Sequence, residues 1–410
     1  MLIPFEEAIH TVLSGIQSLG SERITLADGL GRVLARPVIA RRAVPPADNS
    51  AMDGYALKHA DQGAALPVPM FIAAGSWPER TLGSGEAARI FTGAPVPEGA
   101  DTVVAQERTE RDGDGPVRIV KPETLGANIR RAGEDVMPGD SIGQVGQSLT
   151  PGLIGLLAGQ GLTWVDVVRR PVVAILSTGD EVHEPGDPLP RGHIVSSNSW
   201  ALAARVQEAG GIPRYLGIAR DDRASLDAAL DGITGADVLL TIGGVSVGEL
   251  DFVKEAIAAR GGEQRFWKVK VRPGKPNAFG RIGDVRWFGL PGNPVSCDVS
   301  FLMYVRPALR AMQGHAHHFL PTREARLEHD LRKRVGFLIL FRGVHHPDDA
   351  GDLMVRTTGP QGSGIQSSMA KATCLIVAPE ESEMLRQGSR VRIVMLPGEV
   401  GQAALGVRRP

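Results

Sequence analysis

Apolar residues recur at helical spacing over residues 4–20, with Phe5, Ala8, Ile9, Val12, Leu13 and Ile16 on one face, and this predicts an amphipathic helix. A second helix is predicted over LADGLGRVLA, and the RRAVPPADNS that follows reads as a linker. From about 44 to 135 the pattern changes to short strand-like runs punctuated by glycine, including PVPMFIAAGS, EAARIFTG, DTVVAQERTE and PVRIVKP. Such spacing predicts a β-rich domain. Residues 136–168 return to strand-like and helical text and are expected to join 1–43 in one discontinuous domain.

From Arg170 the text alternates strand and helix: PVVAILSTGDE, SNSWALAARVQEAGG, IPRYLGIARDD, RASLDAALDGIT, DVLLTIGG. That rhythm is the signature of a parallel sheet with crossover helices. The serines and asparagine of SSNS are expected to cap the helix they open. This α/β domain is expected to span 169–318 and to end at the polar HAHHF stretch, whose histidines match no metal spacing. Residues 319–410 read as a β domain, barrel-like, with a disordered GVRRP tail. The expected fold class is therefore multidomain α/β plus β.

Chemistry concentrates between Asp237 and Lys275. Val238 to Ile242 is a continuous apolar run, as a strand covered on both faces requires. Gly243, Gly244 and Gly248 then remove side chains where the backbone turns and a ligand approaches. Glu249 and Asp251 follow at the carboxyl end of the strand, where open α/β sheets bind ligands, and carboxylates there suit Mg²⁺ held with phosphate. In WKVKVRP the alternation places Lys268, Lys270 and Arg272 on one side of a strand, with Lys275 just beyond. FGLPGNPVSCDVSF reads as a strand, a turn through Pro291 and Asn293, and a helix whose first amides face an anion. ILSTGDEV repeats the theme, its strand ending in Ser177, Thr178 and Gly179 before Asp180 and Glu181. Read singly, a GG pair is also an ordinary turn, and alternating lysines are also a solvated face.

Two further clusters carry two readings each, and a third carries one. Asp48, Asn49, Ser50 and Asp53 form either a ligand loop or a turn rich in side-chain to backbone bonds. Thr92 in IFTGAPVPEGAD either donates to a ligand or sits in a hairpin connection. Arg130, Arg131, Glu134 and Asp135 read most simply as a solvated charge cluster.

Composition narrows the classes. With 410 residues the chain exceeds one core, and a net charge of −1 gives no general attraction to nucleic acid or membranes. The two cysteines, Cys297 and Cys374, lie in apolar text and read as reduced, buried thiols. A signal peptide and a spanning segment are not seen, so a soluble, cytoplasmic protein is expected. Acyl-transfer, Walker and G-x-G-x-x-G motifs are not found, which argues against serine hydrolases, P-loop enzymes and Rossmann dehydrogenases.

Taken together, DNSAMDGYA, IFTGAPVPEGAD, RRAGEDV, ILSTGDEV, TIGGVSVGELDFVK, RPGKP and LPGNPVS stand in the order of the molybdopterin molybdenumtransferase family. The chain resembles that family, whose members include the bacterial enzyme and the E domain of gephyrin, over nearly its whole length. The resemblance implies that adenylylated molybdopterin is the substrate. With Mg²⁺ and molybdate, its AMP linkage is hydrolysed and molybdenum enters the dithiolene. It implies an elongated four-domain homodimer, with Asp53, Thr92 and Asp135 reaching the site from the partner. Glu181, Asp221, Asp251, Lys268, Arg272 and Lys275 would come from the α/β domain, with Glu181 and Asp251 as metal ligands. Ser177, Thr178, Gly243, Gly244, Ser246, Pro291 and Asn293 would contact substrate. Arg342 and Ser363 would complete the site near molybdate. Partners implied beyond the dimer are the adenylyltransferase of the preceding step and molybdoenzyme chaperones.

Two positions depart from the family pattern. Arginine stands at 272 where many members have lysine, and SSMAKATC lacks the more usual asparagine. Guanidinium keeps a phosphate contact but does not titrate, which speaks against a general acid there. Competing readings are molybdopterin adenylylation, a related nucleotide pyrophosphatase, and a gephyrin-like scaffold without catalysis. The first two leave residues 1–168 and the C-terminal domain unexplained.

Overall fold

The computed structural model describes residues 2–243 and 250–398, with Leu250 and Asp251 placed by their backbone alone. Gly244, Ser246, Gly248, Glu249 and the GVRRP tail lie outside the described residues, so the expectations attached to them, and to the Asp251 side chain, are not addressed.

A seven-stranded mixed sheet forms the centre, in the order Leu2–Ile3, Glu263–Val269, Pro276–Ile282, Val285–Leu290, Val238–Ile242, Val172–Thr178, Ile212–Ala219. The last four strands run parallel to one another, whereas Glu263–Val269, Pro276–Ile282 and Val285–Leu290 form an antiparallel meander. The apolar runs are explained by burial on both faces. Val173 and Ile175 pack with Val238, Leu240 and Phe288 on one side, and Ala174 and Leu176 with Leu226, Leu239 and Trp287 on the other.

The first helix is shorter than its pattern, Phe5–Leu13 instead of 4–20. Gly15 turns the chain at φ +64°, and Ile16 still packs on the core after the helix has ended. Leu2–Ile3 pairs with Lys268–Val269, and Ala8 and Val12 bury against the same sheet. Residues 2–13 thus join the α/β layer and not the unit expected from 1–43 with 136–168.

The predicted helix over LADGLGRVLA is absent. Only Leu26–Asp28 forms a short 3-10 turn, Gly31 takes φ +73°, and Val33 and Leu34 bridge to Ser148 and Val167. Two glycines weaken a helix there, and Leu34 gains a core place beside Leu149, Leu157 and Val167. Ser21–Thr25 is instead a strand, paired with Trp164–Val168.

Residues 44–135 are β-rich, with a four-stranded sheet carrying Gly54–Leu57 and Ala88–Ile90. At the C-terminus Leu338–Pro347, Leu353–Thr357, Thr322–Leu327, Arg390–Met395 and Cys374–Ala378 pair in series, and the last pairs again with the first, closing a five-stranded barrel. One short helix, Gln366–Ala370, interrupts a segment expected to be all strand.

HAHHF is not simply a polar linker. His315 is buried, and its Nδ1 lies 3.1 Å from the Ser148 hydroxyl, tying the end of the α/β domain to the discontinuous region. Among the described residues no histidine, cysteine, aspartate and glutamate group has metal-site geometry, and no helix is long and apolar enough to cross a membrane.

Candidate active site

Three parallel strands deliver their carboxyl ends to one place. Val172–Thr178, Val238–Ile242 and Val285–Leu290 are neighbours, so Ser177, Thr178, Gly243, Gly292 and Asn293 converge on a cleft of about 350 Å³ with Glu181 at its rim. Gly243 shows why glycine is needed. Its φ is +85°, and a Cβ would stand 3.1 Å from the carbonyl and hydroxyl oxygens of Thr178. Thr178 Oγ1 in turn donates to the Ile242 carbonyl at 3.1 Å, locking the two strand ends together.

Ser196 and Asn198 also line this cleft, although SSNS was expected only to cap a helix. The helix begins at Ser197, and Ser196 makes no capping bond. Its hydroxyl lies 2.8 Å from Ser199 Oγ, which lies 2.6 Å from Ser177 Oγ. A buried hydroxyl cluster therefore floors the cleft, and Asn198 Nδ2 donates to the Gly292 carbonyl at 2.7 Å.

An acidic edge lies on the side of the Ile212–Ala219 strand. The Asp180 amide donates to Asp221 Oδ2 and the Asp221 amide to Asp180 Oδ1, each at 3.3 Å. Burial raises the Asp221 pKa, and the charges of Asp180 and Glu181 push it further the same way. Carboxylates that repel one another are relieved by a cation.

The basic edge lies on the antiparallel side. Val269 and Val271 are buried while Lys268 and Lys270 are half-buried and Arg272 exposed, in keeping with the predicted alternation. The strand does not stay in one sheet, however. Glu263–Val269 belongs to the central sheet, and Val271–Arg272 pairs with Leu338 and Ile339 of the barrel. Lys270 is taken by Glu380 at 3.0 Å. Lys268, Arg272 and Lys275 have no ion-pair partner among the described residues.

The barrel adds a third element through the QGSG turn. Arg342 is 1% exposed; its Nε donates to Ser368 Oγ at 3.1 Å and its Nη2 to the Gly362 carbonyl at 2.9 Å. Desolvation lowers its pKa, and no carboxylate pairs with it among the described residues. Ser363 accepts the Val295 amide at 3.0 Å, which seats the turn on the helix Pro294–Ser300 beside the cleft. One of the amides after Asn293 expected to face an anion is thus occupied by the protein itself.

Asp53 and Thr92 are also brought together. Asp53 Oδ1 accepts the Thr92 amide at 2.8 Å and its hydroxyl at 2.7 Å, and these bonds lower the carboxyl pKa. Asp135 is exposed, and its amide donates to Val44. Nearby, Arg131 pairs with Asp48 at 2.6 Å, as a solvated charge cluster would. The hydrogen bonds of Asp53, Thr92 and Asp135 all run within the β-rich region and not to the cleft.

Fold and site define a multidomain α/β protein with a cleft at the carboxyl ends of its parallel strands and a C-terminal barrel packed beside it. Residues 3–161 match the family described as MoeA N-terminal region (domain I and II), 174–311 the probable molybdopterin binding domain, and 324–396 the MoeA C-terminal region (domain IV). The chain is 37% identical to the molybdopterin molybdenumtransferase of Haemophilus influenzae, over 91% of this chain and 93% of that one. For the Bacillus subtilis enzyme of the same name the identity is 35%, over 97% and 95%. A crystal structure of the molybdopterin biosynthesis MoeA protein from Pyrococcus horikoshii superposes with a TM-score of 0.82 at 32% identity, covering 97% of this chain and all of that one. The chain belongs to the molybdopterin molybdenumtransferase family.

Proposed function

We propose that this protein inserts molybdenum into molybdopterin, accepting the adenylylated form and releasing AMP as molybdate is taken up. The observation that carries the reading is the placement of Arg342. A buried guanidinium without a carboxylate partner among the described residues is held by the same turn whose Ser363 rests on the edge of the cleft. An oxyanion pocket then adjoins a phosphate site, as a reaction joining molybdate to a phosphoanhydride requires.

In this reading Lys268, Arg272 and Lys275 hold the pyrophosphate, and the strand-end glycines let backbone amides approach it. The Arg272 guanidinium offers phosphate a planar fork of donors. The donor set on the acidic edge suits Mg²⁺ in chemistry, because Asp180, Glu181 and Asp221 offer hard carboxylate oxygens. Glu181 and Asp251 would hold the ion, which when bound neutralises phosphate charge and polarises the P–O bond. Asp221 orients its neighbours by the reciprocal bonds with Asp180.

We assign Asp53, Thr92 and Asp135 to the site of a partner subunit, making the protein a homodimer with composite sites. The four units follow the boundaries 1–43 with 136–168, 44–135, 169–318 and 319–410, with residues 2–13 acting as a strap onto the third. The adenylyltransferase of the preceding step, molybdoenzyme chaperones and a cytoplasmic location complete the proposal.

Purified protein with Mg²⁺ should release AMP from adenylylated molybdopterin only when molybdate is present, and Asp251→Ala should abolish this. Release that ignores molybdate would sink the mechanism. Mixing inactive Asp53→Ala and Glu181→Gln subunits should restore activity through heterodimers that contain one intact site. Failure of complementation between properly folded, exchanging subunits would refute the composite site.

A further inference from the structure

We propose that Phe337 is a positioning residue, whose ring is the platform on which Arg272 and Lys275 are presented to the substrate's phosphates. The inference rests on the assignment of those two cations as phosphate ligands.

The Arg272 guanidinium carbon lies 4.6 Å from the Phe337 ring centroid and the Lys275 ammonium 5.9 Å from it. Both are within the ~6 Å over which an aromatic face attracts a cation. An aromatic face differs from a carboxylate in one decisive respect: it orients a cation without neutralising it. A carboxylate at the same place would compete with phosphate for each charge. Glu380, an acid close to this seam, is engaged by Lys270.

The ring is itself anchored. Phe337 precedes the barrel strand Leu338–Pro347, the Leu338 amide donates to the Lys270 carbonyl at 3.0 Å, and Lys333 Nζ donates to the Phe337 carbonyl at 2.9 Å. Opposite it, the turn carrying both cations is closed by the Val269 amide on the Lys275 carbonyl at 3.0 Å. Gly274 within the turn has φ +99°, and a Cβ there would stand 2.7 Å from Ser300 Oγ, so the turn is pressed on the helix beside the cleft. Two pinned backbones thus hold ring and cations in register. The barrel acquires a second task beyond Arg342, since it also aims the cations of the neighbouring domain.

The test is calorimetric binding of inorganic pyrophosphate to the full-length protein. Phe337→Met keeps the volume and removes the π face, and should weaken binding by about fivefold with an unchanged melting temperature. Phe337→Tyr should bind as wild type, and Phe337→Leu replaces the Met variant if that one folds poorly. In an Arg272→Gln background the effect of Phe337→Met should fall by at least half, because one of the two cations it orients is gone. Wild-type affinity in Phe337→Met, or an equal loss in both backgrounds, overturns the platform alone. Absence of pyrophosphate binding by the wild type overturns the phosphate site and the platform with it.

Discussion

The Val295 amide donates to the Ser363 carbonyl across 3.0 Å, so a turn of the C-terminal barrel caps the helix that opens beside the α/β cleft. Ser363 and its neighbour Gly362, which accepts from Arg342, are thereby fixed to the α/β domain through the backbone. Substitutions in the turn should act on molybdate first and on the pterin substrate second.

Arg342→Gln should raise the molybdate concentration needed for half-maximal AMP release by more than about tenfold, the scale of a lost charged hydrogen bond. Ser363→Ala removes a hydroxyl and leaves the carbonyl that accepts from Val295, so its effect should be smaller, about two- to fivefold. Molybdate titrations at saturating substrate measure both. An Arg342→Gln enzyme with unchanged molybdate dependence would remove molybdate from this pocket.

Asp221 is held above its ordinary pKa of 3.8 by burial and by Asp180 and Glu181. Ionised Asp221 therefore costs stability, and the cost is absent below pH 3.8 and grows as pH rises through the folded value. Asp221→Asn should raise the melting temperature at pH 7 by about 1–2 °C, lose that advantage near pH 3.5, and lower AMP release. Scanning calorimetry at the two pH values checks the sign.

His315 behaves in the opposite sense. Burial, then the charges of Arg310 and Arg306, lower its pKa from 6.5 to about 4, so the folded protein keeps it neutral. As pH falls below 6.5 the unfolded chain takes up a proton that the folded chain refuses, and stability is lost down to about pH 4. The loss should reach about 2 kcal/mol by pH 5, and urea unfolding at pH 7 and pH 5 should show it shrinking in His315→Gln.

Gly243→Ala should destabilise the protein by about 1–2 kcal/mol, the cost of a left-handed conformation for an L-residue, and should abolish substrate binding, because its Cβ crowds Thr178. Pyrophosphate calorimetry beside thermal melting separates the two effects.

What the chain made legible follows from how local each signal is. Val172–Thr178 and Val238–Ile242 could be read because both faces are buried, which demands unbroken apolar text. Ser177, Thr178, Gly243 and Asn293 followed by position, being the residues at the ends of such strands. LADGLGRVLA misled because its leucines satisfy helical spacing, whereas Gly31 and the pairing of Leu34 with Val167 override it. Ser196, Asn198 and Ser199 were hidden behind a capping pattern. The signal that could have exposed them was three side-chain hydroxyls and an amide in SSNS, more than one cap uses. Phe337 carried no local signal, since its meaning lies in a ring placed against cations more than sixty residues away.

The passage of one strand from sheet to barrel at Lys270 has a mechanical consequence. The Lys270 amide is bonded to Ile3 at 2.9 Å and its carbonyl to Leu338 at 3.0 Å, so the crossing residue is fastened on both sides. A hinge at this residue would have to break both bonds. The seam therefore resists a change of angle between barrel and sheet more than a bare linker would.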